Sequence, residues 1–405
     1  MADSVIQLKC DCNNFPWGKV GENSLAARLC SKTPGTDFKL DKNTNYAEMW
    51  MGTYPELPSY VLKTGENLQD VLNANKEKLI GKQVLSKFGA DLPFLPKILS
   101  IQKALPLQIH PDIELSKKLH KEDPEKFSDE NHKPEIAIAL SDFEAFCGFK
   151  PKHDIQMLLD VEPLQKFDSE KSNWSDNTLR NVCKSMLEAS EETVASTMKA
   201  LGDLPKDKLG NQGYIVDLVP QLIDQYGATD NGSLVALCLM NFLTFKPGEA
   251  IWIPADGIHA YLRGDIVECM ARSNNVLNTG FCPRADRDSV DTFVRALTFQ
   301  QHDAKKPLLE RSKCEHTSTG KSYMFHPPMS EFNMIVTELK AGETDSLKPV
   351  AGPSIMFMTS GEGKMKADGK EYDLHAGYNF FIGQGVEVSY ESSSQDFAVY
   401  RAYAE

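Results

Sequence analysis

The chain has 405 residues, 41% of them hydrophobic and 25% charged, and its formal net charge is −13. This composition is typical of a globular protein with two or three structural units. The negative charge argues against nucleic-acid binding, which needs a basic surface, and the longest apolar run, residues 234–243, is too short to span a membrane.

Two further features of composition bear on location. The N-terminal residues have neither a basic start nor an apolar stretch, so we expect no secretory signal and a cytoplasmic protein. The nine cysteines are odd in number and scattered, without a second pair at zinc-site spacing. This pattern predicts reduced thiols.

The first 150 residues show short apolar runs between turn signals, a pattern typical of strands, as at residues 60–62 and 136–140. One helix is predicted within them, over residues 113–121. Asp112 is suited to cap its start and Pro124 to end it. His120 stands among lysines in this helix, and we expect it to face solvent.

Residues 151–242 have a helical pattern, because apolar residues recur there at steps of three and four. Within this block, the run 234–243 predicts a buried helix. Strand signals resume directly afterwards. The sequence therefore predicts a helical insertion in a β protein.

The C-terminal part contains a faint repeat of residues 247–261. Residues 376–383 align with residues 247–254, and on that register Val388 stands opposite His259. Gly and Pro residues mark the turn in the first copy, and the strand that follows carries His259 inward. The second copy therefore predicts a similar unit without a metal ligand.

Four residues form a candidate metal site. Gln108 and His110 are two apart, so on a strand both side chains project from one face. Glu135 and His259 would complete a set of nitrogen and oxygen ligands for a divalent metal, plausible for Zn²⁺. Alone, each of these residues is more often an ordinary strand or surface residue; the surrounding sequence makes the prediction specific.

That surrounding sequence resembles type I mannose-6-phosphate isomerase, a metal-dependent family of the cupin superfamily. The resemblance runs through nearly the whole chain, in the family's order. Its motifs are Asn14-Phe15-Pro16-Trp17-Gly18-Lys19, Tyr46-Ala47-Glu48-Met49-Trp50-Met51-Gly52-Thr53, Leu92-Pro93-Phe94-Leu95, Gln108-Ile109-His110-Pro111-Asp112, Asp129-Glu130-Asn131-His132-Lys133-Pro134-Glu135, Pro247-Gly248-Glu249-Ala250, His259-Ala260-Tyr261-Leu262 and Val267-Glu268-Cys269-Met270-Ala271.

The resemblance implies a mainly β fold with two cupin-type jelly-roll domains and an inserted α-helical domain. The implied boundaries are 1–150 plus 243–305 for the catalytic cupin domain, 151–242 for the helical insertion and 306–405 for a C-terminal jelly roll without metal. It also implies one Zn²⁺ per chain, held by Gln108, His110, Glu135 and His259.

The implied activity is the interconversion of mannose 6-phosphate and fructose 6-phosphate through an enediolate, which would supply GDP-mannose, glycosylation and cell-wall synthesis. The expected partner is a small sugar phosphate, with no nucleic acid or membrane, and the protein is expected to be a monomer. Glu268 matches a carboxylate proposed in the family as the proton-transfer base. Lys133 lies two residues before Glu135, hence on the same face if the strand is regular, and its charge could neutralise the enediolate or the phosphate. Arg284 stands where the family usually has a lysine and is the second candidate catalytic cation; Lys97 and Lys103 are weaker candidates for the phosphate.

The sequence departs from the family beside this site. Asn278 stands where an arginine usually serves in catalysis, Asn274 replaces an aspartate, and Pro106 replaces a serine linked to phosphate binding. Either Arg284 or Arg287 supplies the cation, or the activity is weak or altered. Two rival functions follow: a cupin enzyme acting on another sugar phosphate or using iron, and a non-catalytic protein that binds sugar phosphate or metal and regulates.

Overall fold

The structure is a computed structural model that describes residues 3–168, 174–329 and 331–405. It is mainly β with a helical part, as the sequence predicts. The strands are β1 (Val5–Lys9), β2 (Asp11–Asn13), β3 (Lys19–Val20), β4 (Asn45–Tyr46), β5 (Glu48–Trp50), β6 (Tyr60–Val61), β7 (Phe94–Ile101), β8 (Leu107–Ile109), β9 (Glu135–Ala139), β10 (Phe143–Phe149), β11 (Met240–Phe245), β12 (Ala250–Ile253), β13 (His259–Ala271), β14 (Leu277–Gly280), β15 (Ser312–Lys313), β16 (Ser322–Phe325), β17 (Asn333–Leu339), β18 (Thr344–Leu347), β19 (Ser354–Ser360), β20 (Glu362–Ala367), β21 (Lys370–His375), β22 (Asn379–Ile382), β23 (Val388–Ser392) and β24 (Phe397–Tyr403).

The helices lie between these strands. The α-helices are α1 (Leu25–Lys32), α2 (Leu68–Ala74), α3 (Lys76–Leu79), α4 (Lys82–Phe88), α5 (Ile113–Glu122), α6 (Lys152–Leu159), α7 (Asp176–Leu187), α8 (Glu191–Gly202), α9 (Tyr214–Tyr226), α10 (Asn231–Leu239) and α11 (Val290–Ala296), and 3-10 turns cover Gly21–Asn23, Glu162–Phe167, Lys206–Gln212 and Arg284–Asp286. Within the described residues, none of these helices combines the length and apolar character needed to cross a bilayer.

Strand β13 organises the first group of strands. Its first residues pair with β8 and β10, and its residues from Gly264 onward pair with β7 and β9. The strand changes partners at Gly264, where φ is 128° and an added Cβ would lie 2.7 Å from the carbonyl oxygen of Asp142. Only glycine fits this bend without strain. One long strand therefore carries His259 and Glu268 into the same interior.

The C-terminal strands form two sheets. An eight-stranded sheet has the order β15-β16-β17-β24-β19-β22-β1-β6, and a four-stranded sheet has the order β18-β23-β20-β21. A core that includes Met356, Val388 and Tyr403 lies between them. Strand β1 comes from the N-terminus, yet it pairs with β22 of this part. The domain division at residue 306 stays a prediction, and β1 ties the N-terminus to the C-terminal strands.

The predicted repeat is confirmed at the level of strands. β12 and β22 occupy aligned positions, and the preceding glycines, Gly248 and Gly377, have φ of 86° and 93°. The next strands, β13 and β23, begin at His259 and Val388. Both copies thus use a left-handed glycine turn followed by two strands.

The helical block comprises α6 to α10, between β10 and β11. Its apolar residues pack in one core with residues of β8, β10, β13 and β14. The prediction of a helix over residues 234–243 is wrong at its end, because α10 stops at Leu239 and Met240 begins β11. A continuous apolar run does not distinguish a buried helix from a buried strand.

The short predicted helix is confirmed as α5, which extends one residue further than expected. The side chain of Asp112 caps it by accepting a hydrogen bond of 2.8 Å from the backbone N–H of Leu115. His120 is partly buried rather than fully solvent-facing, and its Nδ1 lies 2.6 Å from the carbonyl oxygen of Phe127. This contact holds the loop that follows α5.

Candidate metal centre

His110, Glu135 and His259 meet in the interior between β8, β9 and β13. Their candidate ligand atoms all lie within 4.8 Å of one another. His110 Nε2 is 3.1 Å from Glu135 Oε1, and His259 Nε2 is 3.7 Å from Glu135 Oε2. Within the described part of the chain, this is the one group of three or more His, Cys, Asp or Glu residues so arranged.

Gln108 borders this cluster. In the antiparallel pairing of β8 with β13, Gln108 lies directly opposite His259. Side chains directly opposite in antiparallel strands project from the same face. The structure therefore places Gln108 on the side of the sheet that carries the cluster.

The two imidazoles are oriented by backbone carbonyls. His110 Nδ1 lies 2.8 Å from the oxygen of Asn275, and His259 Nδ1 lies 2.9 Å from the oxygen of Gly257. A proton on each Nδ1 satisfies these contacts and leaves Nε2 with a lone pair. With the protons on Nδ1, neither Nε2 can donate to Glu135, so both buried nitrogens present a lone pair towards the carboxylate and have no hydrogen-bond partner among the described residues. These orphaned nitrogens fit a bound cation.

The protonation states also suit a metal. Burial lowers the pKa of His110, and it lowers the pKa of His259 to about 4. Burial alone would raise the pKa of Glu135, but His110 and Lys133 nearby lower it well below its usual range. At neutral pH the cluster thus offers neutral imidazoles and a carboxylate, which are the forms that bind a divalent ion.

A hydrogen-bond network outside the cluster holds His110. Asp129 Oδ1 accepts from the hydroxyl of Ser273 at 2.8 Å, and its Oδ2 accepts from the backbone N–H of Asn274 at 2.8 Å. Asn275 Nδ2 donates to the carbonyl oxygens of Asp129 (2.8 Å) and Asn131 (3.0 Å). Asn275, whose own carbonyl oxygen contacts His110, is therefore fixed to the segment that leads to Glu135.

Glu268 belongs to a second buried group, formed with Lys97 and Glu48. Lys97 Nζ lies 3.0 Å from Glu268 Oε2 and 3.4 Å from Glu48 Oε2, and the Trp50 indole donates to Glu48 at 2.6 Å. Burial alone would lower the pKa of Lys97, but the neighbouring carboxylates raise it. Lys97 is thus a stable cation whose partners are carboxylates.

The pKa of Glu268 is raised to about 7. Burial is the main cause, and the charges of Glu135 and Glu48 add to it, while Lys97 opposes the shift. A carboxyl group with a pKa near neutrality can both take up and release a proton under working conditions. This property suits a general base.

Two further polar groups approach Glu135. Lys133 Nζ lies 3.5 Å from Glu135 Oε1, although Lys133 precedes β9 and is not on the strand itself. The hydroxyl of Tyr261 donates to Glu135 Oε2 at 3.4 Å. The structure therefore places the Lys133 ammonium beside Glu135, although the regular strand on which the two-residue spacing relied begins only at Glu135.

Arg284 lies elsewhere. Its guanidinium contacts Glu191 at 3.1 Å and donates to the carbonyl oxygen of Thr229 at 3.1 Å, both in the helical block, and its side chain is about half exposed. Arg287 is more buried and pairs with Asp230, the N-cap of α10, at 2.5 Å. Arg287 also donates to the carbonyl oxygen of Cys282 at 3.0 Å. Among the described residues, neither arginine contacts the metal cluster.

Asn278 is closer to the cluster than either arginine in the strand arrangement. It lies directly opposite Gln108 in the pairing of β14 with β8. Its backbone N–H donates to Asp288 at 2.7 Å, and its side-chain oxygen is buried without a hydrogen-bond partner among the described residues. An uncharged side chain thus occupies this position of the sheet.

Sequence reasoning missed three contributors to this region: Glu48, Tyr261 and Asp129. All three stand in the motifs that carry the family resemblance. Their roles depend on which strands pair and in which register. Glu48, for example, contacts Lys97 because β7 sets Lys97 opposite Trp50 on one side and opposite Glu268 on the other. That long-range pairing is not written in any local pattern.

Known proteins resemble the chain along its length. The family model for the catalytic domain of type I phosphomannose isomerase matches residues 5–152, and the model for the C-terminal part of that family matches residues 322–370. Mannose-6-phosphate isomerase of Schizosaccharomyces pombe is 35% identical over 99% of this chain and 100% of its own length. The enzyme of Cryptococcus neoformans is 36% identical over 100% of both chains.

Solved structures agree. A mutant of phosphomannose isomerase from Salmonella typhimurium superposes with a TM-score of 0.83 at 25% identity and covers 100% of both chains. A zinc-bound mannose 6-phosphate isomerase superposes with a TM-score of 0.81 at 25% identity, again over 100% of both chains. The similarity therefore extends over every part of the fold described above.

Proposed function

The chain belongs to the type I phosphomannose isomerases, and from that premise we propose that it interconverts mannose 6-phosphate and fructose 6-phosphate through an enediolate. The observation that carries this proposal is the buried cluster of His110, Glu135 and His259, whose two Nε2 atoms lack partners among the described residues. The Glu268 carboxyl on β13, the strand that begins at His259, has a pKa near 7.

We propose that Gln108, His110, Glu135 and His259 hold one divalent ion per chain, and that the ion is zinc. Neutral Gln and His ligands with a single carboxylate leave most of the ion's positive charge uncompensated. When bound, such an ion supplies a Lewis acid that polarises oxygen atoms of the sugar. The fixed Nδ1 contacts of both histidines keep the ligand geometry before the ion arrives.

Glu268 is the proposed base that carries a proton between C1 and C2 of the sugar. Its raised pKa allows it to accept the proton from one carbon and return it to the other. Lys97, 3.0 Å away, positions the carboxylate and limits the rise in its pKa. Lys97 therefore acts through Glu268, and its charge is already shared between two carboxylates.

Lys133 and Arg284 are the proposed cations for the negative charge of the enediolate and the phosphate. Lys133 is mostly buried beside Glu135, so its charge acts in a region from which water is largely excluded. Arg284 would have to leave Glu191 to reach a substrate, and an exposed ion pair of this kind costs little to open. We propose that it does so when the phosphate binds.

In the cell, the proposed activity supplies mannose 6-phosphate for GDP-mannose, and hence for protein glycosylation and cell-wall polymers. The proposed location is the cytoplasm and the proposed working unit is a monomer. Asn278 supports a second candidate function, an isomerase acting on a different sugar phosphate. An uncharged group there changes the part of the site where the family has a guanidinium.

A coupled assay on fructose 6-phosphate tests the proposal. Turnover that a chelator abolishes and Zn²⁺ restores is the expected result. Glu268→Gln should bind metal like the wild type and lose turnover, because it removes the base and keeps the ligands. Tight binding of fructose 6-phosphate by the wild type without turnover would contradict the proposal and favour a regulatory protein. Turnover of another aldose or ketose phosphate alone would favour the second candidate.

A further inference from the structure

The C-terminal strands enclose an arginine with no counter-ion. Arg401, on β24, is fully buried, and its Nε donates to the hydroxyl of Ser354 at 2.9 Å. Its other two nitrogens, Nη1 and Nη2, have no hydrogen-bond partner among the described residues. Within the same residues it forms no ion pair with a carboxylate. Four N–H groups of a permanent cation thus point into the protein interior unmatched.

Asp345, a buried carboxylate in the same part of the chain, is not the counter-ion of Arg401. Asp345, on β18, is buried as well, but its oxygens accept hydrogen bonds from the hydroxyls of Thr317, Thr319 and Ser322 at 2.6–2.9 Å. Those bonds lower its pKa, against the effect of burial, and keep it ionised. Its charge is therefore held by hydroxyl groups and is not paired with Arg401.

Two buried tyrosine hydroxyls accompany Arg401. Tyr403 is two residues further along β24, so its side chain projects from the same face as that of Arg401. Tyr390 belongs to β23 of the facing four-stranded sheet and packs in the same core as Tyr403. Both hydroxyls are buried; that of Tyr390 has no hydrogen-bond partner among the described residues, and that of Tyr403 has only the side chain of Asn333, directly opposite on β17, beside it. Donors from two facing sheets are thus left unsatisfied in one core.

An arrangement of this kind is costly unless something negative completes it. A buried charge without a counter-ion and a buried hydroxyl without a hydrogen-bond partner both destabilise the folded state. Apolar residues at these positions would avoid the cost. A guanidinium and two phenol hydroxyls are all able to donate hydrogen bonds, so the missing partner is an acceptor with negative charge.

The internal repeat relates the surroundings of Arg401 to those of the metal cluster. Tyr390 stands two residues after the first residue of β23, as Tyr261 stands two residues after the first residue of β13. The Tyr261 hydroxyl contacts Glu135 of the metal cluster. In the second copy Val388 takes the place of His259, and the core that holds the equivalent tyrosine also contains a cation. The interior of the second copy therefore suits the opposite sign of ligand.

We propose that the interior of the C-terminal jelly roll binds one small inorganic anion of chloride size, held by Nη1 and Nη2 of Arg401 and by the hydroxyls of Tyr390 and Tyr403. The three side chains are almost completely buried, at 0%, 1% and 0% exposure for Arg401, Tyr390 and Tyr403. Such burial suits a single ion and not an organic anion. The anion would stabilise the C-terminal part and is separate from the isomerase chemistry.

Bromide tests this directly on the wild-type protein. Crystals grown with sodium bromide should show one strong anomalous peak beside Arg401, away from His110 and His259. A difference map that shows only a water molecule beside Arg401, with no anomalous signal, would overturn the proposal. This measurement does not depend on any variant folding.

Thermal unfolding gives an independent test. At constant ionic strength, replacing gluconate by chloride should raise the Tm of the wild type by roughly 2 °C for each tenfold rise in chloride above its Kd. Tyr390→Phe should lower the apparent chloride affinity, and Arg401→Met should remove the dependence. Arg311→Met, which alters an arginine that is about half exposed in the same part of the chain, is the matched control. A chloride dependence that is equal in Arg401→Met and wild type would exclude the site.

Discussion

Gln108 and Asn278 lie directly opposite one another on β8 and β14, and on its other side Gln108 lies opposite His259 on β13. Three neighbouring strands thus present His259, Gln108 and Asn278 in one row. Cross-strand neighbours of this kind project from the same face. Asn278, one of the positions at which the sequence departs from the family pattern, is therefore one strand away from the proposed metal ligand Gln108.

The metal site gives the first prediction. His259→Ala should reduce bound metal from about one ion per chain to nearly none, because it removes a neutral ligand whose Nε2 faces Glu135. His375→Ala is the matched control, since His375 is a half-exposed histidine at the end of β21. Elemental analysis of the purified proteins measures both. Full metal content in His259→Ala would remove His259 from the ligand set.

The stoichiometry gives a second prediction, that the C-terminal part carries no metal. Val388 begins β23 where His259 begins β13, so the second copy lacks this ligand. Metal-anomalous scattering from crystals should show a single site, beside His110. A second metal peak near His375 would show that the C-terminal jelly roll has ligands of its own.

Asp129 gives a third prediction. It fixes Asn275, whose carbonyl oxygen contacts Nδ1 of His110 at 2.8 Å. Loss of such an outer contact typically weakens metal affinity by about 10–100-fold. Asp129→Ala should therefore weaken zinc binding by that factor in a competition titration with a chelator. Asp142→Ala, at an exposed aspartate, should bind zinc like the wild type. An unchanged affinity in Asp129→Ala would mean that His110 is oriented without this network.

Part of the candidate site could be predicted from the sequence alone. Strand-face spacing and family motifs placed Gln108, His110, Glu135 and His259, and the internal repeat placed Val388 opposite His259. The contacts of Lys97 could not be predicted from the sequence, because they depend on the strand pairing that sets Lys97 opposite Glu268 on one side and opposite Trp50 on the other. Local patterns carry period and turns, but not which distant strands become neighbours.

The end of α10 illustrates the same limit. Residues 234–243 are almost continuously apolar, and both a buried helix and a buried strand have that composition. The structure divides the run at Leu239, because Met240–Phe245 pairs with β10. Pairing with β10, and not local helix propensity, therefore sets the boundary between α10 and β11.

The pKa of Glu268 gives a prediction of pH dependence. The proposed base acts when ionised, and its ionised fraction rises as pH rises through about 7. The value of kcat/KM should therefore be low in acid and increase to a plateau above this pKa. Lys97→Met removes a cation that lowers the pKa of Glu268, so the rise should move to higher pH. Glu268→Gln should lower kcat by about 10²–10⁴-fold.

The control for this experiment is Glu391→Gln, at an exposed strand residue of the C-terminal part. It should reproduce the wild-type pH profile. A profile in Lys97→Met that keeps its shape and midpoint, with only a lower plateau, would contradict a role for Lys97 in setting the pKa of Glu268.

The last prediction concerns the positive charge that Asn278 does not supply and that Arg284 is proposed to supply instead. A preorganised charge beside a developing anion can contribute on the order of 3–4 kcal/mol, or about 10²–10³ in rate. If Arg284 supplies that charge in place of the family's arginine, Arg284→Ala should lower kcat/KM for fructose 6-phosphate by that factor. Asn278→Arg should then bring little gain, because it would add a like charge near a site that already has one.

Glu191 makes this prediction specific to Arg284. Its carboxylate holds the guanidinium 3.1 Å away in the helical block. Glu191→Gln should free Arg284 and lower KM by about two- to fivefold, the range that an exposed ion pair allows. The double variant Glu191→Gln, Arg284→Ala should lose this gain, since the guanidinium is then absent. Wild-type kcat and KM in Arg284→Ala would remove Arg284 from the site, and a large gain in Asn278→Arg would show that the cation is missing from this chain.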